Sequence, residues 1–591
     1  MLKQKLLEDL QKTVEDLGYP STDILLSISK NPEFGDYTTN IALQLANLEI
    51  GKLHHSPVEI ANEIKNALEK LVIGDKERNY LEKVEVAGPG FINFYLKTAA
   101  LIKNLPLVCN YTAMVDPQIK VAGEKRKILV EYASFNALKP VHVGHLRNIV
   151  LGESLVRLLK STNNEVFKVT YTSDIGLPTA KTIWAVQQLK KQYQQAQKAA
   201  LSEKADFLGQ AYAFGSEKYN EDEVVKKEIN ELNKKIYARD KEISKLWQEI
   251  LGWSFDYFNY IYELVGTKFD KEFLESEVEG EGKEIVLKNI DKVFKEDQGA
   301  VIFRGEEHDL HNRVFVTSAG NPTYEAKEMA LAKQEYKAFP FDLAIHVVAN
   351  EQLEYFKVVF KALSLLDKNL AKKERHLSYG YVTLSSGRMS SRKGNVIILE
   401  YIYDKVRRAV EEIMKKSATV KDISENERQQ IINMVSLGAI KFSLLKYSPK
   451  TDVVFDLKKS VSLTGDSGPY VQYSYARAKS VLRTAHYDYE AKKSGQPKKV
   501  GKMALELEER MILRRIEQFP QLVKEASDSF APQTVANFLL SLAKEFNLFY
   551  QKHPIIKAKD SGEFRLALTC AVAVVLKQGL YLLGIEAPER M

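Results

Sequence analysis

The sequence predicts a multidomain α/β protein: a sheet-centred domain interrupted by helices, preceded by a mixed α+β unit and followed by an all-helical one. Three observations carry that expectation. The stretch from Lys125 to about Thr179 reads strand, turn, helix, strand, for which a parallel β-α-β unit is the simplest account. Strand-like runs return at Ala300–Phe303, Arg313–Val316 and Leu343–Val348 and are expected to complete the same sheet. After Tyr403 nearly every window carries a helical period.

The elements follow in order. Residues 1–115 form the mixed unit, with helical patterns over Leu2–Leu17 and Pro57–Leu71. Val84–Leu96 reads as two short strands around the Gly-Pro-Gly turn at 88–90. Phe34-Gly-Asp-Tyr37 reads as a turn that caps the helix after it. Residues 116–181 give the first half of the sheet domain and 286–402 the second. Between them, 182–285 is charged and mainly helical. Asn220–Ile250 alternates Glu and Lys with apolar positions, as a solvent-facing helical hairpin does. A coiled coil is the fallback, although the heptads are irregular. A helical connector is expected over 403–460 and a helical bundle over 461–591, with Gly584 and Pro588 punctuating the end.

At 591 residues and 45% hydrophobic content the chain can build several cores. The net charge of +7 permits a nucleic-acid partner without demanding one. Lys3, Lys5, Glu8 and Asp9 interrupt any secretory pattern, and no run of apolar residues suggests a membrane span. The two cysteines, Cys109 and Cys570, are far apart and neither lies in a C-x-x-C. No structural zinc and no disulfide framework is expected, and a cytoplasmic setting fits.

Two motifs carry the chemistry. His142-Val-Gly-His145 lies between the strand-like run Lys127–Ala133 and an apolar-periodic run from Leu146. Two imidazoles and Gly144 then stand at a helix N-terminus, where free N–H groups favour anions. Gly144 lets a ligand approach the backbone. Alone, two histidines beside a turn are more often ordinary polar residues. Far downstream, Ser386-Gly-Arg-Met-Ser-Ser-Arg-Lys-Gly-Asn395 is short, basic and rich in small residues, suited to following a polyphosphate as charge moves. In order and separation the pair resembles the HIGH and KMSKS signatures of class I aminoacyl-tRNA synthetases. From Asn31-Pro-Glu-Phe-Gly-Asp-Tyr37 to Gly584-Ile-Glu-Ala-Pro-Glu-Arg-Met591, the whole chain resembles the arginyl-tRNA synthetases.

That resemblance implies a Rossmann-like catalytic domain, an N-terminal domain that touches the tRNA elbow, and a C-terminal DALR-type anticodon-binding domain. It implies activation of L-arginine by ATP, with Mg²⁺ arriving on the nucleotide, and transfer to cognate tRNA(Arg), the chain acting as a monomer. Adenylate formation is expected only with tRNA bound. His142, His145, Arg388, Ser390, Arg392 and Lys393 are the implied catalytic groups. Ser391 stands where many class I loops have lysine, and Lys139 is the implied substitute, with Arg392 and Lys393 as alternatives. His142, Gly144, His145, His346, Val347 and Met389 are expected around ATP.

A guanidinium is always charged and presents a planar fork of donors, so its pocket needs carboxylates. Glu131 and Glu328 are the candidates, Glu328 standing where the family pattern has Asp. Tyr324, one helical turn before Glu328, joins them, with Asn136 and Gln352. Phe34, Tyr37, Tyr550 and Met591 are the expected tRNA contacts. A non-catalytic relative would be expected to lose the histidines or the loop. A cysteine-specific relative would want metal ligands, and a glutamate-specific one cations in place of Glu131 and Glu328. A general nucleotidyltransferase would not need the helical C-terminal domain.

Overall fold

The computed structural model describes residues 2–29, 34–48, 55–72, 78–103, 105, 125–139, 141–384, 399–415, 423–487, 505–558 and 561–591. In the N-terminal unit, helix Leu2–Asp16 buries Leu6, Leu10 and Val14, and helix Pro57–Val72 buries Ile60, Ile64 and Leu68. The four-residue spacing lines one face of each helix. Beside them lies an antiparallel sheet made of β1 (Leu26–Ile28), β2 (Tyr37–Thr39), β3 (Leu81–Ala87) and β4 (Phe91–Leu96), in the order β1-β2-β4-β3. Strands β3 and β4 flank the Gly-Pro-Gly turn.

The central sheet begins with β5 (Lys127–Glu131), β6 (Glu165–Thr172) and β7 (Lys271–Leu274). Between β6 and β7 the chain leaves for helices Leu177–Gln188, Lys190–Gln197, Leu201–Glu221, Glu223–Tyr237 and Lys241–Val265. Asp222 and Asp240 cap two of them, accepting from backbone N–H groups in the first turn.

Here one expectation is corrected. Ala300–Phe303 and Arg313–Val316 do not join the central sheet. They are β9 and β10 of a separate antiparallel sheet that also contains β8 (Lys295–Asp297). The cause is local. Gln298 and Gly299 both have positive φ, 49° and 79°, and connect Asp297 to its cross-strand partner Ala300 as a two-residue hairpin. The chain then returns as β11 (Leu343–Ala349) and β12 (Glu374–Tyr379).

The finished sheet is parallel throughout, in the order β12-β11-β5-β6-β7. From β5 the chain builds outward to β6 and β7, then outward on the other side through β11 and β12. The reversal between β5 and β11 opens a crevice at their C-terminal ends. Beyond it, β13 (Val382–Leu384) pairs in parallel with β14 (Val453–Phe455), and the remainder is mainly helical.

The last long helix, Gly562–Leu582, is long and apolar enough to cross a membrane by composition, contrary to the sequence expectation. Its apolar surface is instead covered by helices Gly468–Thr484 and Pro532–Lys552. The N-terminal unit docks on helix Leu507–Asp528, where buried Asp36 meets Arg510 at 3.0 Å and Arg514 at 2.7 Å.

Candidate active site

After Glu131 the chain reaches helix Val143–Ser161 through a short loop in which Ala133 and Leu138 hold φ of 60° and 64°. Left-handed backbone is costly for such residues, and surrounding contacts must hold it. They do. Asn148 Oδ1 accepts from Ala133 N at 2.5 Å, Ser254 Oγ from Leu138 N at 3.1 Å, and Ser173 O from Ala137 N at 2.8 Å.

His142 is the helix N-cap. Its Nδ1 accepts from Gly144 N at 3.1 Å, and His145 Nδ1 accepts from His142 N at 3.2 Å. The two rings stack with centroids 3.7 Å apart. With both Nδ1 atoms accepting, the proton of each neutral ring sits on Nε2. Burial, then the charge of Lys139, lowers the His142 pKa to about 4. Burial, then the charges of His142 and Lys139, holds His145 well below the usual range. Two neutral Nε2–H donors therefore stand together at pH 7. Gly144 makes this possible, since a Cβ there would lie 2.9 Å from the His142 ring. Its space is occupied by the histidine rather than kept for a ligand.

Lys139 lies with Nζ 4.6 Å from the centre of the Tyr212 ring, on helix Leu201–Glu221 of the insertion. One turn into the signature helix, buried Arg147 donates to the carbonyls of Gly380, Tyr381, Ser448, Pro449 and Thr451. It ties this helix to the ends of β12 and of helix Glu425–Leu445, and burial lowers its pKa to about 10.

On the floor of the crevice, Glu131 and His346 are register partners across β5 and β11. His346 Nδ1 contacts Glu131 Oε2 at 2.5 Å, and its Nε2 contacts Glu374 Oε2 at 2.7 Å. Ser134 Oγ donates to Glu131 Oε1 at 2.7 Å. Burial alone would raise the Glu131 pKa. The His346 charge and the hydrogen bonds from His346 and Ser134 bring it below its ordinary value instead.

Helix Tyr324–Ala338 adds Glu328, which accepts from Tyr355 Oη at 3.1 Å. Burial, then the Glu131 charge, pushes Glu328 up to about 8. Neighbouring Glu275 is unavailable to a ligand, because Lys327 holds it in a buried ion pair at 2.5 Å. Tyr171, at the end of β6, has a buried hydroxyl with no hydrogen-bond partner, set among Glu275, Glu328 and Glu131. Sequence reasoning missed it, reading Tyr171 only as a strand residue. Glu131, Glu335 and His346 bring ligand-type atoms within 4.8 Å of one another. Both His346 nitrogens already face carboxylates, so the ring offers no lone pair to a metal.

Residues 111–457 match the model of the class I (R) tRNA synthetase catalytic domain, 1–96 that of the arginyl tRNA synthetase N-terminal domain, and 471–591 that of the DALR anticodon binding domain. The chain belongs to the arginyl-tRNA synthetase family. It is 31% identical to the arginine–tRNA ligase of Clostridium perfringens over the full length of both chains. It is also 31% identical to that of Parabacteroides distasonis, over 80% of this chain and 82% of the relative. The arginyl-tRNA synthetase of Thermus thermophilus superposes over all of both chains with a TM-score of 0.81 at 26% identity. That of Plasmodium falciparum shares the fold, with a TM-score of 0.78 at 19% identity, over 100% of this chain and 99% of the other.

Within this synthetase the expected site residues divide. His142, Gly144 and His145 share one turn, and Glu131, Asn136, Tyr324, Glu328 and Gln352 stand at or just beyond the C-terminal ends of the strands or on the helix above them. Tyr324 is half exposed at the rim, and Gln352 ends a short turn after β11. Two expected ATP contacts already have protein partners. Both His346 nitrogens are taken by carboxylates. The Val347 side chain is buried and its carbonyl accepts from Asn148 Nδ2.

Two expected tRNA contacts are covered by protein as well. Tyr37 is 1% exposed and its hydroxyl donates to Glu517, at the seam between the N-terminal and DALR units. Met591 is buried in the DALR core. Phe34 and Tyr550 are exposed, and Arg477 lies 5.0 Å over the Tyr550 ring. Arg388, Met389, Ser390, Arg392 and Lys393 lie outside the described residues.

Proposed function

We propose that this chain activates L-arginine with ATP, forming arginyl-adenylate and pyrophosphate, and then esterifies the terminal ribose of its cognate tRNA. The observation that carries this reading is the convergence of Glu131 and Glu328 in the sheet crevice. They are paired with protein donors whose hydrogen bonds a guanidinium can extend or replace. Neutral ligands do not compensate a carboxylate in such surroundings, and a planar cation does.

The arginine carboxylate attacks the α-phosphate, and pyrophosphate leaves with the electron pair of the broken P–O bond. No protein nucleophile is needed. The chain contributes position and charge stabilisation. The Nε2–H groups of His142 and His145 are aimed donors that need no reorganisation as charge grows on the phosphate oxygens. Lys139, or Arg392 and Lys393 of the basic loop, brings the cation that Ser391 lacks. Mg²⁺ enters with ATP, neutralises phosphate charge and needs no protein cage.

Asn136 and Gln352 hold the amino and carboxylate end of the substrate, and Tyr324 closes the side-chain pocket. Phe34 meets the tRNA elbow, and Tyr550 stacks on an anticodon base beside Arg477. Adenylate formation waits for tRNA, because the basic loop and the DALR bundle are both joined to the catalytic sheet through the segment that Arg147 grips.

Pyrophosphate exchange run with each amino acid, with and without tRNA, tests the whole reading. Exchange should occur with arginine and require cognate tRNA. Full exchange without tRNA removes the coupling, and exchange with another amino acid removes the pocket assignment.

A further inference from the structure

His346 sits where a nucleotide contact was expected, yet it faces inward. A neutral imidazole carries one N–H and can donate to only one partner. This ring has a carboxylate oxygen on each side, at 2.5 and 2.7 Å, so both nitrogens donate and the ring is a cation. The surrounding acids come from several elements: Glu131 on β5, Glu374 on β12, and Glu328 and Glu335 on helix Tyr324–Ala338. The further titratable neighbours are Tyr171 of β6, Tyr355 on Glu328, and His376 of β12, whose Nε2 is spent on the Val348 carbonyl.

Glu335 is an internal control. It lies in the same cluster, is fully buried, and has no hydrogen-bond partner on either oxygen. Burial and the Glu131 charge hold it well above the usual carboxylate range, against the opposing pull of the His346 charge, and so favour its neutral form. Without a cation in contact, Glu131 would share that fate. A neutral carboxyl gains little from a guanidinium and cannot tell it from a neutral isostere.

We propose that His346, clamped between Glu131 and Glu374, is a positioning residue for arginine recognition that keeps the Glu131 carboxylate charged and fixed in direction. The proposal rests on the reading of Glu131 as a guanidinium acceptor. Ser134 and His346 each take one Glu131 oxygen, which sets the plane of the group. Glu374 holds the far side of the ring and keeps it from turning away.

The test is aminoacylation kinetics as a function of pH on full-length wild type, H346Q, E131Q and the double variant. His346→Gln should raise KM for arginine by roughly 10- to 100-fold, the size of losing a charged hydrogen-bond partner, with KM for ATP unchanged. In wild type the acidic limb of kcat/KM for arginine should follow one proton, on Glu328. In H346Q it should steepen to two, the second on Glu131. Adding H346Q to E131Q should change nothing further, because His346 acts through Glu131.

An unchanged limb in folded H346Q, or full additivity with E131Q, overturns the proposal. So does one tightly held divalent metal ion per chain as purified, since the ring would then be a ligand and not a cation. If H346Q fails to fold, Glu374→Ala carries the test. It should raise KM for arginine severalfold and leave that for ATP alone, and an unchanged KM for arginine overturns the proposal. Failure of the underlying reading looks different: E131Q alone would leave KM for arginine at the wild-type value.

Discussion

Three histidines, His346 buried and His142 and His145 partly buried, stand in one crevice and carry opposite charge states. His142 and His145 cap a helix with their Nδ1 atoms, face Lys139, and stay neutral. His346, in the sheet beneath, faces a carboxylate on each nitrogen and is charged. Burial acts in the same direction on all three, disfavouring the cation. What decides the outcome is the partner at each ring nitrogen. The result suits a reaction between a polyanion and a cation. In the proposed mechanism, neutral donors meet the phosphates without adding a counter-charge that would compete for the guanidinium's acceptors. The charged ring sits where, on the inference above, it keeps a carboxylate ionised.

The charged half of this comparison breaks most visibly with citrulline, whose neutral ureido group replaces the guanidinium. Arginine should be preferred by ~3–5 kcal/mol, the cost of leaving one member of a buried ion pair unmatched. Glu328→Gln should raise KM for arginine and narrow that gap. Competition assays with both amino acids measure it, and equal discrimination in the variant would make Glu328 a structural helix residue.

The neutral half is tested by His145→Ala. Loss of one aimed donor should slow adenylate formation by roughly 10²–10³, as for an oxyanion-type contact, with little change in KM for arginine. Single-turnover adenylate formation reads this directly, and a wild-type rate would move the chemistry elsewhere.

Titration sharpens the comparison. Glu328 is raised to about 8, so in the empty site it is protonated at neutral pH, and binding a guanidinium expels that proton. One proton released means affinity for arginine should improve about tenfold per pH unit as pH rises from about 6 toward 8. Calorimetry in buffers of different ionisation heat would detect the proton. By contrast kcat at saturating arginine should be flat across this range, because His142 titrates only near 4. A kcat limb near pH 6.5 would mean that the signature histidines are solvated and ordinary.

The two halves also differ in how they could be read beforehand. His142 and His145 fall within one helical turn, so their pairing is local and visible as a motif. The Glu131–His346–Glu374 chain exists only through the register of β12, β11 and β5, and helix Tyr324–Ala338 adds its acids from above. In the sequence Glu335 and Glu374 look like solvated polar residues. The fold class followed from strand and helix periods, yet the Gln298–Gly299 hairpin, which diverts β9 from the central sheet, was passed over although its turn residues are legible. Burial was the least readable property. Tyr37 and Met591 have the composition of RNA contacts but are covered by partners distant in sequence.

The same rule, that partners decide a group's role, separates two aromatic neighbours in the N-terminal unit. Phe34 is 56% exposed, whereas Tyr37 is sealed against Glu517, beside the Asp36–Arg514 pair. Burial and the Glu517 charge raise the Tyr37 pKa, so the phenol keeps its proton and donates it. Tyr37→Phe removes that donor and leaves one oxygen of a buried carboxyl unpartnered, the other still accepting from Lys3 N. Because burial already raises the Glu517 pKa, that group can answer by taking a proton, which caps the loss at about 1–2 kcal/mol. The variant should therefore melt a few degrees lower with KM for tRNA unchanged. Phe34→Ala should do the reverse, keeping the melting temperature and weakening tRNA several-fold. Thermal melts and tRNA titrations on the two variants decide between seam and surface, and a tRNA defect in Tyr37→Phe at unchanged stability would return Tyr37 to the RNA face.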